Sequence, residues 1–165
     1  MKRKITIELF EEHDRVNYYT ICFDGESSET DKFFDLFDND DFSEDINIVV
    51  SDFDTIGNKG AYERDFRREG KSNDRLCALP SNWVSCRLRL FCLRINEQIV
   101  ILGNGYEKTS QTYNENPTAN YYAETLLSVD KLLRIKLSRD IVQLYNRQFY
   151  GDLSFIIEDE RPKEK

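Results

Sequence analysis

Residues 85–109 read SCRLRLFCLRINEQIVILGNGYEKT. Cys86 to Ile95 and Gln98 to Leu102 are rich in β-branched, aromatic and aliphatic side chains, with a polar break at Asn96-Glu97. That pattern is a hairpin with a short loop. Strand residues alternate faces, so Arg87, Arg89, Phe91 and Leu93 share one side while Cys86, Leu88, Leu90 and Cys92 share the other. A loop of two or four residues, with Ile95 opposite Gln98, sets Phe91 against Leu102, Arg89 against Asn104 and Arg87 against Tyr106. Lys108 follows one step further along the same face. A three-residue loop moves the second strand by one and scatters that cluster, because a one-residue slip exchanges faces.

The cluster of Arg87, Arg89, Asn104, Tyr106 and Lys108 is therefore the first candidate site. The same arginines equally suit a solvated sheet face or pairing with the acids elsewhere in the chain.

A length of 165 residues with eleven Phe and nine Tyr suits one domain with a substantial core. No apolar run reaches membrane-spanning length, and MKRKITIELFEEHD turns acidic too early for a signal peptide, so a soluble cytoplasmic protein is expected. Cys22, Cys77, Cys86 and Cys92 have no CxxC spacing and are read as buried, reduced thiols. With His13 as the only histidine, neither a metal site nor a cofactor is expected.

The net charge of −8 is unevenly spread. Residues 1–58 carry five Lys/Arg against sixteen Asp/Glu, whereas residues 59–94 carry nine against four. An acidic half beside a basic segment makes an oriented electrostatic surface.

From the amino end, Lys4–Phe10 and Tyr18–Phe23 read as an opening hairpin, with His13 exposed in its loop. Ser27 or Ser28 caps a helix carrying Phe33, Phe34 and Phe37. Ser43 caps a second, with Ile46, Val49, Val50, Phe53 and Ile56 on one stripe and Gly57-Asn58-Lys59-Gly60 ending it with a glycine cap. Residues 61–81 read mainly as loop. That segment holds Arg64, Arg67, Arg68, Lys71 and Arg75, which either follow a phosphate backbone or pair with the acidic first third. Trp83 is expected to anchor the main strand. Asn116-Pro117 starts a helix of roughly 20 residues with Tyr122, Leu126, Val129, Leu133 and Leu137 on one face. Two strands, Ile141–Tyr145 and Leu153–Ile157, then precede a charged, disordered tail over 158–165.

The segment from Cys86 to Thr112 resembles the central signature of RelE/HigB-like (phage Gp49-like) toxins of bacterial type II toxin–antitoxin modules. The matching pieces are Arg87, Leu88, Arg89, Arg94, Ile99 to Gly103, Lys108, Thr109 and Thr112, and the likeness covers roughly residues 83–137. It implies an α+β domain over 1–157: an antiparallel sheet with an N-terminal hairpin, a helical pair, a central hairpin and a C-terminal helix, to which this chain adds an extra C-terminal strand pair outside the family pattern. It also implies a ribosome-dependent, metal-independent mRNA endonuclease neutralised by an antitoxin. Arg87, Arg89 and Lys108 are then expected on mRNA or rRNA phosphates, with Tyr106 or Lys108 sharing the proton transfers. Arg64, Arg67, Arg68, Lys71 and Arg94 are expected to bind RNA. The competing expectation is a noncatalytic interaction domain on the same scaffold, whose acidic first half binds a basic protein.

Overall fold

The computed structural model describes residues 1–71, 74–80, 85–109 and 113–162. Trp83 and Thr112 lie outside these described residues. Among the described residues the chain folds as a mixed α+β structure built on a mostly antiparallel sheet with three α-helices. Strands β1 (Lys2–Glu12) and β2 (Asn17–Phe23) form the opening hairpin; helices α1 (Glu29–Leu36) and α2 (Ser43–Lys59) follow. Next come β3 (Arg67–Arg68), β4 (Leu76–Leu79), β5 (Leu88–Arg94) and β6 (Ile99–Glu107). Helix α3 (Pro117–Ser138), β7 (Val142–Tyr145), β8 (Gln148–Gly151) and β9 (Ser154–Glu158) complete the order.

The large sheet has strand order β3-β4-β5-β6-β2-β1-β9, and β2 joins β6 in parallel, fusing the two expected hairpins into one surface. Alternation sends side chains to two cores. Phe91, Leu93, Ile99 and Ile101 pack with Leu126, Val129 and Leu133 of α3. Leu88, Leu90, Cys92, Val100 and Leu102 pack on the other face with Phe33, Val49, Phe53 and Ile56 of α1 and α2. Each core buries several large apolar side chains, which at ~1.5–3 kcal/mol apiece is what drives the layers together.

Helices α1 and α3 start on the expected caps, whereas Ser43 does not cap α2. It is the first helical residue, Phe42 precedes it without a side-chain cap, and Ser43 Oγ donates to Asp40 O at 3.3 Å. Ser28 Oγ accepts from Asp31 N at 3.0 Å, and Asn116 Oδ1 accepts from Thr118 N and Ala119 N at 3.1 Å. Helix α2 ends at Lys59, where Gly60, with φ 121°, is the C-cap and its N–H donates to Ile56 O at 2.8 Å; Gly57 is a packing position inside the helix. A Cβ there would stand 2.4 Å from His13 Cγ. His13 is correspondingly half-buried rather than exposed: it sits on the helix, meets the Tyr18 ring edge-on and bonds Glu11 at 3.2 Å.

Three further expectations are corrected. The 61–81 segment contributes β3 and β4, and Leu76–Leu79 is buried at every position, so no alternation marks it as a strand. The C-terminal strands do not form a pair. β7 pairs with β8 through a turn at Asn146 and Arg147, both with positive φ (52° and 68°), while β9 crosses to β1. The beginning of the charged tail is anchored rather than loose. Asp159 accepts from Tyr121 Oη at 2.6 Å and from Arg3 Nη1 at 3.1 Å, and Arg161 lies over the Phe23 ring.

Candidate functional site

The hairpin loop has three residues: Ile95 N donates to Ile99 O at 3.0 Å, and Arg94 stands opposite Val100. Continued regularly, that register opposes Tyr106 to Leu88 and turns it toward α1. A β-bulge intervenes between Leu90 and Cys92, after which Arg89 faces Tyr106 and Leu88 faces Glu107. The extra residue lies on β6. Asn104 and Gly105 both turn to the α1 side, where the Asn104 amide reaches Glu29 at 3.5 Å and Gly105 meets Phe33. The expected facing of Arg89 with Asn104 is thus replaced by Arg89 with Tyr106. Gly103, before the bulge, keeps Leu126 of α3 close: a Cβ there would lie 2.7 Å from Leu126 Cδ1.

Restored to the α3 face, Tyr106 stacks on Phe91 with ring centroids 5.3 Å apart, and Tyr113 meets Phe91 edge-on at 5.5 Å. The Tyr106 and Tyr113 rings line a cleft of about 580 Å³ between the β3–β4 turn, the end of β6 and the first half of α3. Arg67, Arg68, Lys71 and Lys108 line it with Glu69, Asp74 and Glu124. Arg89, 4 % exposed, lies beneath the cleft rather than in it, its Nη1 donating to the Cys86 and Leu88 carbonyls at 2.8 Å. Its positive charge bears on Lys108 and Glu69 in the cleft.

The electrostatics of this group are mutual. Burial lowers the Lys108 pKa, and the neighbouring Arg67 and Arg89 lower it further. Burial likewise lowers Arg89, with Arg67 adding to it. Burial raises Glu69 against the opposing pull of Arg67, Lys108 and Arg89, although Arg67 Nε reaches its carboxylate at 3.2 Å. Tyr106 is raised by burial and by Glu69. Lys108 and Arg89, each depressed by neighbouring cations beside Glu69, gain from an added anion.

Arg87 is not part of this group. It precedes β5 and turns to the α2 side, where Asp45 accepts from its backbone N at 2.7 Å, its Nε at 3.2 Å and its Nη2 at 2.9 Å. Its guanidinium also lies 4.3 Å from the centre of the Phe42 ring. The two strand arginines therefore diverge, because the Asp45 carboxylate captures the first and the sheet buries the second. Arg64 lies over Tyr62, outside the cleft. Arg94 donates to Ala61 O at 2.6 Å and borders a separate hollow with Arg68 and Arg75. Of the nine candidates, Arg67, Arg68, Lys71, Tyr106 and Lys108 converge, with Arg89 behind them. Glu69, Tyr113 and Asn120 were missed. The signal for Glu69 was a lone acid inside the basic run RREGK.

Among the described residues, no group of three or more His, Cys, Asp or Glu side chains is arranged to hold a metal ion, and all four cysteines are free and buried. No helix among them is long and apolar enough to cross a membrane. No protein-family model, curated protein or solved structure matches this chain.

Proposed function

We propose that the cleft holds a phosphodiester of single-stranded RNA and cleaves it at the 2′-hydroxyl without a metal. The reading rests on one juxtaposition: Glu69, its pKa raised, stands among Arg67, Lys108 and the buried Arg89, above the Tyr106 and Tyr113 rings. Glu69 takes the 2′-hydroxyl proton, and the oxygen attacks phosphorus to give a 2′,3′-cyclic phosphate. The 5′-oxygen leaves with a proton from Lys108, whose lowered pKa suits it as an acid. Arg67 pairs with the non-bridging oxygens, and Arg89 adds fixed positive charge from below. Tyr113 offers a face on which a base can stack.

The RelE/HigB-like resemblance makes a ribosome-dependent mRNA endonuclease, held in check by an antitoxin, the form we propose for this activity. A RelE-like arrangement of the central hairpin and α3 belongs to the same proposal. The test is mRNA cleavage during translation by the purified protein and by Glu69→Gln. Cleavage ending in a 2′,3′-cyclic phosphate, lost in the variant, is expected. Intact mRNA, or cleavage indifferent to Glu69, overturns the reading.

A second reading is favoured by the exposed acids Asp35, Asp38, Asp40, Glu44 and Asp54 around the exposed Leu36 and Val50 of α1 and α2. That face suits a basic protein partner, and the chain is then a noncatalytic interaction domain. Salt-sensitive binding of a basic protein without any RNA cleavage distinguishes it.

A further inference from the structure

Strand β9 is the outer strand of the large sheet. Leu153 O accepts from Ile7 N at 3.0 Å and Asp159 N donates to Met1 O at 2.8 Å, so odd-numbered residues turn their backbone groups toward β1. Alternation turns those of Ser154, Ile156 and Glu158 outward. Ser154 is closed off, its N–H donating to Asp152 Oδ1 at 3.0 Å and its carbonyl accepting from Lys136 Nζ at 2.5 Å. Among the described residues nothing covers the outward backbone groups of Ile156 and Glu158 in the same way. An edge of this kind is a template for another strand.

A groove follows that edge between β9 and α3. Its two hollows, of about 420 and 550 Å³, share Leu132 and Ile156. Ile156 is 58 % exposed, and Ile135 and Ile141 beside it are also exposed. The groove is polarised. Lys4, Lys136 and Arg139 stand at its Ser154 end with Asp152, whereas Glu124, Glu158 and Glu160 stand at the other with Lys131.

We infer that this edge binds a second copy of the chain, β9 against β9, antiparallel about a two-fold axis at Ile157. In that register Ile156 of each copy faces Glu158 of the other, and the uncovered backbone groups form four inter-chain hydrogen bonds. Centring the axis on Ile156 sets the occupied Ser154 against Glu158 and leaves only two. The antiparallel sense also brings the Glu160 end of each copy to the Lys4, Lys136 and Arg139 end of the other. The groove is therefore complementary to its own reverse, which is what a symmetric pair requires.

Sedimentation velocity over a concentration series tests this with the full chain. The unaltered protein should self-associate to a dimer. Ile156→Glu sets, on an already exposed position, a carboxylate opposite Glu158 of the other copy at both symmetric pairs, and should weaken the dimer at least about tenfold. Arg139→Glu should weaken it too, and Arg139→Glu with Glu160→Arg should restore it. A chain that stays monomeric, a dimer indifferent to Ile156→Glu, or charge reversals that do not compensate overturns the inference. Capture of a foreign extended peptide by a monomeric chain overturns it equally.

Discussion

The stack of Phe91 on Tyr106 exists only because the bulge in β6 undoes the face exchange imposed by the three-residue loop. A double-mutant cycle on the two rings therefore reports the register in solution. Phe91 is fully buried and Tyr106 nearly so, with centroids 5.3 Å apart and planes 18° from parallel. Phe91→Ala should cost about 3–5 kcal/mol, and in a chain of this length each kcal/mol lowers the melting temperature by about 2–4 °C. Phe91→Leu and Tyr106→Leu keep the core filled and suit the cycle better. An offset aromatic pair contributes about 0.5–1.5 kcal/mol beyond burial, so the two single losses should together exceed the double loss by that amount. Urea unfolding of the four proteins, with a common m-value, supplies the numbers. Additivity within about 0.3 kcal/mol would refute the bulged register, because a regular ladder puts Tyr106 on the α1 face and out of reach of Phe91.

Three other outcomes follow from the same structure. Arg87→Ala should leave RNA affinity unchanged while Lys108→Ala lowers it, measured by fluorescence anisotropy on a single-stranded oligonucleotide; the reverse order would return the site to the start of β5. Cleavage rates of the unaltered protein should trace a bell in pH: they rise as Glu69 ionises above the ordinary 4.5 and fall as Lys108 loses its proton below the ordinary 10.5. Glu26, though burial opposes it, is held down to about 2 by Lys32 and Arg3, so it stabilises the folded chain fully above about 4.5 and loses that effect as pH falls toward 2. Acid titration of Glu26→Gln should show a shallower loss of stability across that window.

Much of the architecture was legible because single residues impose it. Ser28 and the Asn116-Pro117 pair announce α1 and α3, and the aliphatic run of 98–102 announces β6. What escaped depends on partners distant in sequence. The Leu76–Leu79 strand is covered on both faces and too short to show a period. The turn at Asn146-Arg147 adopts positive φ without the glycine that usually signals it. The destination of β9 is set by pairing with β1, at the opposite end of the chain. At the site, Arg67, Arg68, Lys71, Tyr106 and Lys108 were visible as basic and aromatic residues, but their convergence needed β3 to join the sheet outside β4, where its residues and the end of β6 line one cleft. Arg87 and Arg89 looked equivalent by alternation. Asp45, far upstream on α2, separates them.

The most direct test of the cleft is the salt dependence of its RNA binding. Removing one phosphate-binding cation should reduce the slope of log affinity against log salt by about 0.7 for a single strand. Arg67→Ala and Lys108→Ala should each show that reduction together with weaker binding, and Arg64→Ala, outside the cleft, should show neither. Equal slopes and affinities for all three variants and the parent protein would contradict the account.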